Sequence, residues 1–174
     1  MWRTVVRFVA GLSVVLAAIG VLIVVGMRRK WPPVLDTVRR ANRRTKPLVL
    51  ASAGTEGAYA SVVKHVGRAS GRSYETPVVV AATEDGFVIA LPYGSNTDWL
   101  KNVCAKGSAT VVTGGHTYEV DRPEVVPIEE ATAYFRMTEQ RMHRQFGVAD
   151  CLRVRRAVEP GTRTTSEEAE TETV

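Results

Sequence analysis

The chain has 174 residues, with 23 lysines and arginines against 18 aspartates and glutamates, a formal net charge of +5, two cysteines and three histidines. That length holds one ordinary domain with appendages and excludes a multidomain assembly. Cys104 and Cys151 form no CxxC pair, imply no disulfide framework and read as small buried apolar residues, and the scattered His65, His116 and His143 give no metal-site spacing.

Phe8 to Met27 (FVAGLSVVLAAIGVLIVVGM) contains no charge, and Ser13 is its only polar side chain. A helix of that length crosses the roughly 30 Å of a bilayer's hydrocarbon. Arg3 and Arg7 also resemble the basic start of a cleaved signal peptide. However, the apolar run exceeds the usual h-region of about 7–15 residues, and Met27-Arg28-Arg29-Lys30 stands where a small-residue cleavage site belongs. Residues 1–30 therefore read as a retained anchor. The cations after the run (Arg28, Arg29, Lys30, Arg39, Arg40, Arg43, Arg44 and Lys46) outnumber those before it, which predicts a single-pass protein of the cell membrane with its C-terminal domain in the cytoplasm.

Residues 31–46 form a basic juxtamembrane segment in which Trp31 suits the interface and Pro32-Pro33 stop the first helix. Val34 to Arg44 then predicts a short helix with Val34, Leu35 and Val38 on one side and paired arginines on the other. It lies either on anionic headgroups, where each cation contributes about 1 kcal/mol, or in water as a linker. Crowding of the positive charge here points to membrane lipid as the partner and not to nucleic acid.

Residues 47–158 read as one globular domain. Leu48 to Ala51 is a candidate first strand, followed by a turn at Gly54-Thr55-Glu56-Gly57. Tyr59 to Val66 and Tyr74 to Ala82 are rich in β-formers, and the run Val78 to Ala82 predicts burial on both faces. Glu84-Asp85-Gly86 marks a hairpin into Phe87 to Leu91. Thr97 to Lys106 predicts a helix capped by Thr97 or Asn96 and ended by Gly107. Ala109 to Thr113 and His116 to Asp121 form a hairpin about Gly114-Gly115, Ile128 to Phe146 an amphipathic helix, and Cys151 to Val158 an edge strand guarded by arginines. Residues 159–174 are too polar to fold alone and predict a disordered acidic tail. Six or so short strands with one inserted helix give a mainly β, α+β class: a small antiparallel barrel with flanking helices.

The link His65-Val66-Gly67-Arg68-Ala69-Ser70-Gly71-Arg72-Ser73-Tyr74-Glu75-Thr76-Pro77 carries the chemistry. Gly67 and Gly71 tolerate positive φ, so that amides can turn inward, and Arg68 and Arg72 offer donor forks that fit a phosphate. The other reading is a plain hairpin turn with solvated arginines. No serine elbow or Cys/His arrangement argues for hydrolysis.

A second stretch runs Leu91-Pro92-Tyr93-Gly94-Ser95-Asn96-Thr97-Asp98-Trp99-Leu100-Lys101-Asn102. Together, H-V-G-R-x-S-G-R-x-Y-x-T-P-V and P-Y-G-x-x-x-D-W-x-x-N-x-x-A resemble the deazaflavin-dependent nitroreductase family of actinobacteria, split-barrel proteins that bind coenzyme F420. The resemblance covers about Tyr59 to Val126. It implies a split antiparallel β-barrel holding F420, with Arg68, Ser70, Gly71 and Arg72 on the phosphate side. Thr76, Pro77 and Val78 would line the ring, Pro92, Tyr93 and Gly94 would face them, Trp99 and Asn102 would lie on the closing helix, and Lys64 would meet the anionic tail. It also implies that barrels of this kind pair into homodimers.

In such a protein the cofactor carries the hydride chemistry, and a tyrosine donates a hydrogen bond to the reduced oxygen. Tyr93 and Tyr134 are the candidates. The three-tyrosine grouping of the nitroreductase branch is absent, since Phe135, Met137 and Met142 follow Tyr134, so nitroimidazole reduction is not implied. An anchor beside the site points to a small hydrophobic acceptor such as a quinone or lipid. The alternatives are a protein that binds or sequesters F420 without turnover and a split barrel that binds FMN. Trp99 also reads as a packing residue, Asn102 as a partner for nearby backbone, and His65 as a satisfied strand histidine.

Overall fold

The computed structural model describes residues 2–157. The expected acidic tail lies outside the described residues. The chain begins with two helices, α1 (Trp2–Arg28) and α2 (Pro32–Leu50), and continues through β1 (Ser61–Val66), β2 (Ser73–Val78), β3 (Val80–Ala82) and β4 (Gly86–Ala90). Helix α3 (Asp98–Lys106), β5 (Ser108–Thr113), β6 (His116–Pro127), α4 (Met137–Phe146) and β7 (Asp150–Arg156) complete it.

All strands pair antiparallel in one seven-stranded sheet of order β2-β1-β5-β6-β7-β4-β3. Its two edge strands are separated in sequence by Val79 alone. In a flat sheet six strand spacings would hold those edges roughly 29 Å apart. Two residues of extended chain reach about 7 Å, so the sheet curls to bring the end of β2 beside the start of β3, without pairing the two. This is the split antiparallel barrel with flanking helices.

The interior is filled by Val63, Phe87, Ile89, Leu100, Val103, Val111, Val120, Leu152 and Val154. A second cluster, Ala81, Val88, Val126, Ile128, Ala131, Phe135, Val148 and Cys151, packs on the outer side beneath α4. Strand β4 faces both, with Phe87 and Ile89 inward and Val88 outward, which is why its apolar run is continuous. The doubly buried strand is therefore β4, whereas β3 exposes Ala82. β7 is central, not an edge: Arg153 pairs with Glu130 at 3.1 Å, Arg155 with Asp85 at 3.3 Å, and Arg156 lies 5.1 Å from the Phe87 ring centroid.

Three further expectations are corrected. Leu48 to Leu50 is helical, because α2 continues through Pro47, and the first strand starts at Ser61. The expected single helix over 128–146 is two 3-10 turns, Ile128–Glu130 and Thr132–Tyr134, followed by α4. Ile128, Ala131 and Phe135 turn into the second cluster, which a straight helix would not allow, and the Glu139 carboxylate restarts the helix by accepting the Arg136 N–H at 3.0 Å. Both cysteines are free. Cys151 is buried, which raises its thiol to about 11, while Cys104 is exposed and not the core residue its type implies.

Within α1, Ala10–Arg28 has a mean hydropathy of 2.6 and is long and apolar enough to cross a membrane, with 11% of that window buried. Its C-terminal end meets the domain. Met27 is buried, Val34 packs against Gly26, and Arg28 donates to the Arg144 carbonyl at 3.4 Å.

Gly86 tests the β4–β7 contact. A Cβ there would lie 2.0 Å from the Val154 carbonyl oxygen and 2.8 Å from Arg155 Cα, both backbone atoms. Gly86→Ala should destabilise the full-length chain by about 3 kcal/mol, measured by urea denaturation in detergent. An unchanged midpoint would contradict this strand spacing.

Candidate functional site

Register aligns the two strands that flank the first motif. Val63 pairs with Thr76, Lys64 with Glu75 and His65 with Tyr74. Because side chains alternate along a strand, Val63 and His65 turn inward while Lys64 turns out. Lys64 meets Glu75 across the strands at 3.6 Å, both about half exposed. His65 stacks on Tyr74 with ring centroids 5.8 Å apart, and its Nε2 lies 3.1 Å from Thr76 Oγ1.

Helix α3 closes one side. Asp98 and Asn102 sit one turn apart on one face and both reach Arg68. Arg68 Nη2 pairs with Asp98 Oδ1 at 3.0 Å, and its Nη1 donates to Asn102 Oδ1 at 2.8 Å. The Arg68 backbone N–H donates to the same oxygen at 3.1 Å. The buried Asn102 places Nδ2 3.2 Å from His65 Nδ1. One polar line thus runs Asp98, Arg68, Asn102, His65, Thr76, from the helix to the edge strand. Thr97 occupies the N-cap position but makes no capping bond, and its hydroxyl is buried without a partner among the described residues. Gly107 ends the helix at φ 74° as its residue type requires. Trp99 packs against the barrel core.

The link between β1 and β2 differs from the expected inward-turned nest. Its amides are used within the fold: Gly67 N–H donates to Arg72 O at 2.8 Å, Gly71 N–H to Gly67 O at 2.8 Å and Arg72 N–H to Ser70 Oγ at 3.4 Å. Only Gly71, at φ 65°, takes the left-handed region, and it faces open space. Gly67 is needed for closeness, since a Cβ there would lie 2.5 Å from Ser70 Oγ. Ser70 Oγ is also 3.1 Å from the Tyr74 hydroxyl. With Arg68 and Lys64 engaged, Arg72 is the exposed cation of the link whose side chain has no partner among the described residues.

On the other side, the Pro92-Tyr93-Gly94 loop lies under α2. Lys30 Nζ donates to Pro92 O at 3.0 Å, Arg39 Nη2 to Tyr93 O at 3.5 Å, and Asn42 Nδ2 to the Tyr93 hydroxyl. Burial lifts the Tyr93 phenol above its usual range, opposed by Asn42 and Arg39. Burial also lowers the Lys30 ammonium, opposed by Asp150. These α2 contacts were missed, although Arg39, Asn42 and Lys46 share a helical face by spacing.

Tyr134 is not brought to Tyr93. It lines a separate polar cleft of about 240 Å³ with Tyr59, Ser61, Val79 to Ala82, Thr113, Arg136 and Glu139. Glu139 is buried, and Tyr59, raised first by burial and then by Glu139, is hydrogen-bonded to it. No local pattern links Tyr59 with Glu139, which lie far apart in sequence.

No family model matches the sequence, and no curated protein is significantly similar to it. Among solved structures it resembles a protein of unknown function from Agrobacterium tumefaciens, at 14% identity over 56% of this chain and 48% of that one, with TM-score 0.43. The match spans about half of that protein's length. It also resembles an F420-H2 dependent reductase, at 14% identity over 55% of this chain and 93% of that one (TM-score 0.44). A domain-swapped dimer matches at 11% identity over 68% of this chain and 98% of that one (TM-score 0.45). At these identities the likeness is one of fold alone.

Burial, and after it the Lys46 charge, lowers the pKa of His65 below the usual imidazole value. The unfolded chain therefore binds this proton more readily. The contribution is complete above the unfolded pKa of about 6.5 and is lost as pH falls from there through the lower folded value. His143 carries the same sign, lowered by burial and opposed by Glu139. Denaturation between pH 7 and 5 should show stability falling, with a shallower slope in His65→Gln than in the parent and an independent reduction in His143→Gln. A slope unchanged by His65→Gln would contradict a neutral buried imidazole.

Proposed function

We propose that this chain is a membrane-anchored oxidoreductase that takes hydride from reduced coenzyme F420 and passes it to a hydrophobic acceptor, a quinone or lipid, at the cytoplasmic face of the cell membrane. The observation that carries this reading is the Lys30–Pro92 bond. It ties the candidate loop to a residue two positions beyond the apolar helix, which would hold a bound acceptor beside the lipid. The coenzyme enters through the paired motifs, whose residues His65, Arg68, Thr76, Asp98 and Asn102 form one hydrogen-bonded line.

The donor set fits an anionic heterocycle. Arg72 is free to pair with a phosphate, and the open space over Gly71 leaves room for one beside it. Arg68 holds Asn102 in place, and Lys46 on α2 adds a cation near His65. Thr76, Pro77 and Val78, all half-buried, would line the ring from β2, and Pro92, Tyr93 and Gly94 would face it from the other side. When bound, the reduced coenzyme supplies hydride from its central ring. Tyr93 supplies the proton. Asn42 donates into the phenol oxygen, so the Tyr93 hydrogen remains available to an acceptor oxygen, and burial keeps that proton in place at neutral pH. Trp99 fixes the closing helix by burial.

In lipid nanodiscs, the full-length chain should oxidise the reduced coenzyme faster with a menaquinone than with a soluble dye. Arg72→Ala should weaken coenzyme binding about ten- to a hundredfold through loss of one charge-assisted contact. Tyr93→Phe should lower turnover about a hundredfold at nearly unchanged affinity. Tight binding without acceptor-dependent oxidation would instead identify a sequestering protein, and a flavin absorbance in the isolated protein would identify an FMN carrier.

A further inference from the structure

The line of hydrogen bonds through Asn102 has a direction, and that direction is fixed by donor counting. Two N–H groups of Arg68, its backbone amide and Nη1, point at one oxygen of the Asn102 side chain at 3.1 and 2.8 Å. Turning the amide over would set its NH₂ against both donors, so Oδ1 must face Arg68 and Nδ2 must face His65. Nδ2 can only donate. His65 Nδ1, 3.2 Å away, is therefore an acceptor and carries no proton.

The ring's single proton then sits on Nε2, which lies 3.1 Å from Thr76 Oγ1 and donates to it. A doubly protonated ring would set Nδ1–H against Nδ2–H. Burial and the nearby Lys46 also disfavour that state. With His65 donating to its oxygen, Thr76 keeps its own hydrogen for another partner, and no described side chain or backbone group takes it. Thr76 is half-buried on the edge strand β2 beside His65, where the proposed function sets the ligand ring.

We infer that Arg68, Asn102 and His65 act as a polarity relay that occupies one lone pair of Thr76 and leaves its hydroxyl hydrogen to be donated to the ligand. Thr76 thereby selects a ligand presenting a carbonyl or anionic oxygen, or a bare ring nitrogen, at that point. Thr76 is the contact and specificity residue, while Asn102 and His65 are positioning residues. The inference rests on the reading of the groove as a coenzyme site, but its first half concerns the protein alone.

The test uses the full-length chain in detergent micelles with ¹⁵N-labelled histidine, at about pH 8.5 so that imidazoles are neutral. His65, assigned by comparison with His65→Gln, should show a protonated Nε2 and a bare Nδ1 in the absence of any ligand. Asn102→Asp keeps an acceptor toward Arg68 but demands a donor from His65. The proton should move to Nδ1, Nε2 should accept from Thr76, and the hydroxyl hydrogen should be withdrawn from the groove. Affinity for coenzyme F420, read by fluorescence titration, should then fall about tenfold in Asn102→Asp and in Thr76→Val but be retained in Thr76→Ser. A wild-type His65 protonated on Nδ1 overturns the relay whatever the coenzyme does. Wild-type affinity in Thr76→Val, or in Asn102→Asp with the tautomer inverted, overturns the selection. A wild-type chain that binds no F420 overturns the functional reading alone, because the tautomer is measured without it.

Discussion

Closure of the sheet at Val79 governs where everything else lies. β2 and β3 stand at opposite ends of the strand order but are consecutive in the chain, so the sheet is curled by covalent connection as well as by packing. The curl makes an interior narrow enough for side chains from facing strands to fill, and Phe87, Ile89, Val111 and Leu152 do so. It also leaves β2 with one ladder partner, β1. The free side of β2 is an unpaired edge, which proteins cover or use. Here the basic helix α2 packs against the strand that carries Thr76.

Helix α2 joins two environments. Its first residues are prolines, placed where a missing N–H costs nothing, and they turn the chain sharply out of the apolar helix. Leu35 is buried and Arg39 and Asn42 reach Tyr93, while Arg40, Arg43 and Arg44 face outward. The helix runs from the end of α1 toward Tyr59, and α4 runs the opposite way, from Tyr59 through Glu139 back to Arg28. The two helices therefore flank the same face of the barrel. A segment expected to lie on headgroups or in water is in part bonded to the Tyr93 loop of the barrel domain.

The buried polar line through Asn102 is the least forgiving part of the structure. An Asn and a His removed from water cost stability unless each donor finds an acceptor, and here the complete chain from Asp98 to Thr76 satisfies them. Such a network is rigid because every member has one admissible orientation. Removing Asn102 or His65 would leave the other buried and short of a partner. Arg68, which from its residue type alone is a phosphate ligand, has both ends of its guanidinium engaged by α3.

By itself the sequence determined what is local. The apolar run of α1, the hairpins at Glu84-Asp85-Gly86 and Gly114-Gly115, the end of α3 at Gly107 and the two motifs all follow from spacing and allowed dihedrals within about ten residues. The small antiparallel barrel follows from the strand count and turns. Tertiary structure decided what those rules do not reach: that β7 is central, that the helix over 128–146 breaks to bury Ile128 and Phe135, that Asn102 meets both His65 and Arg68, and that Tyr59 meets Glu139. Each of these joins residues distant in sequence. Their pairing depends on how the curled sheet fills its volume and satisfies its buried donors, and only the packed molecule fixes that.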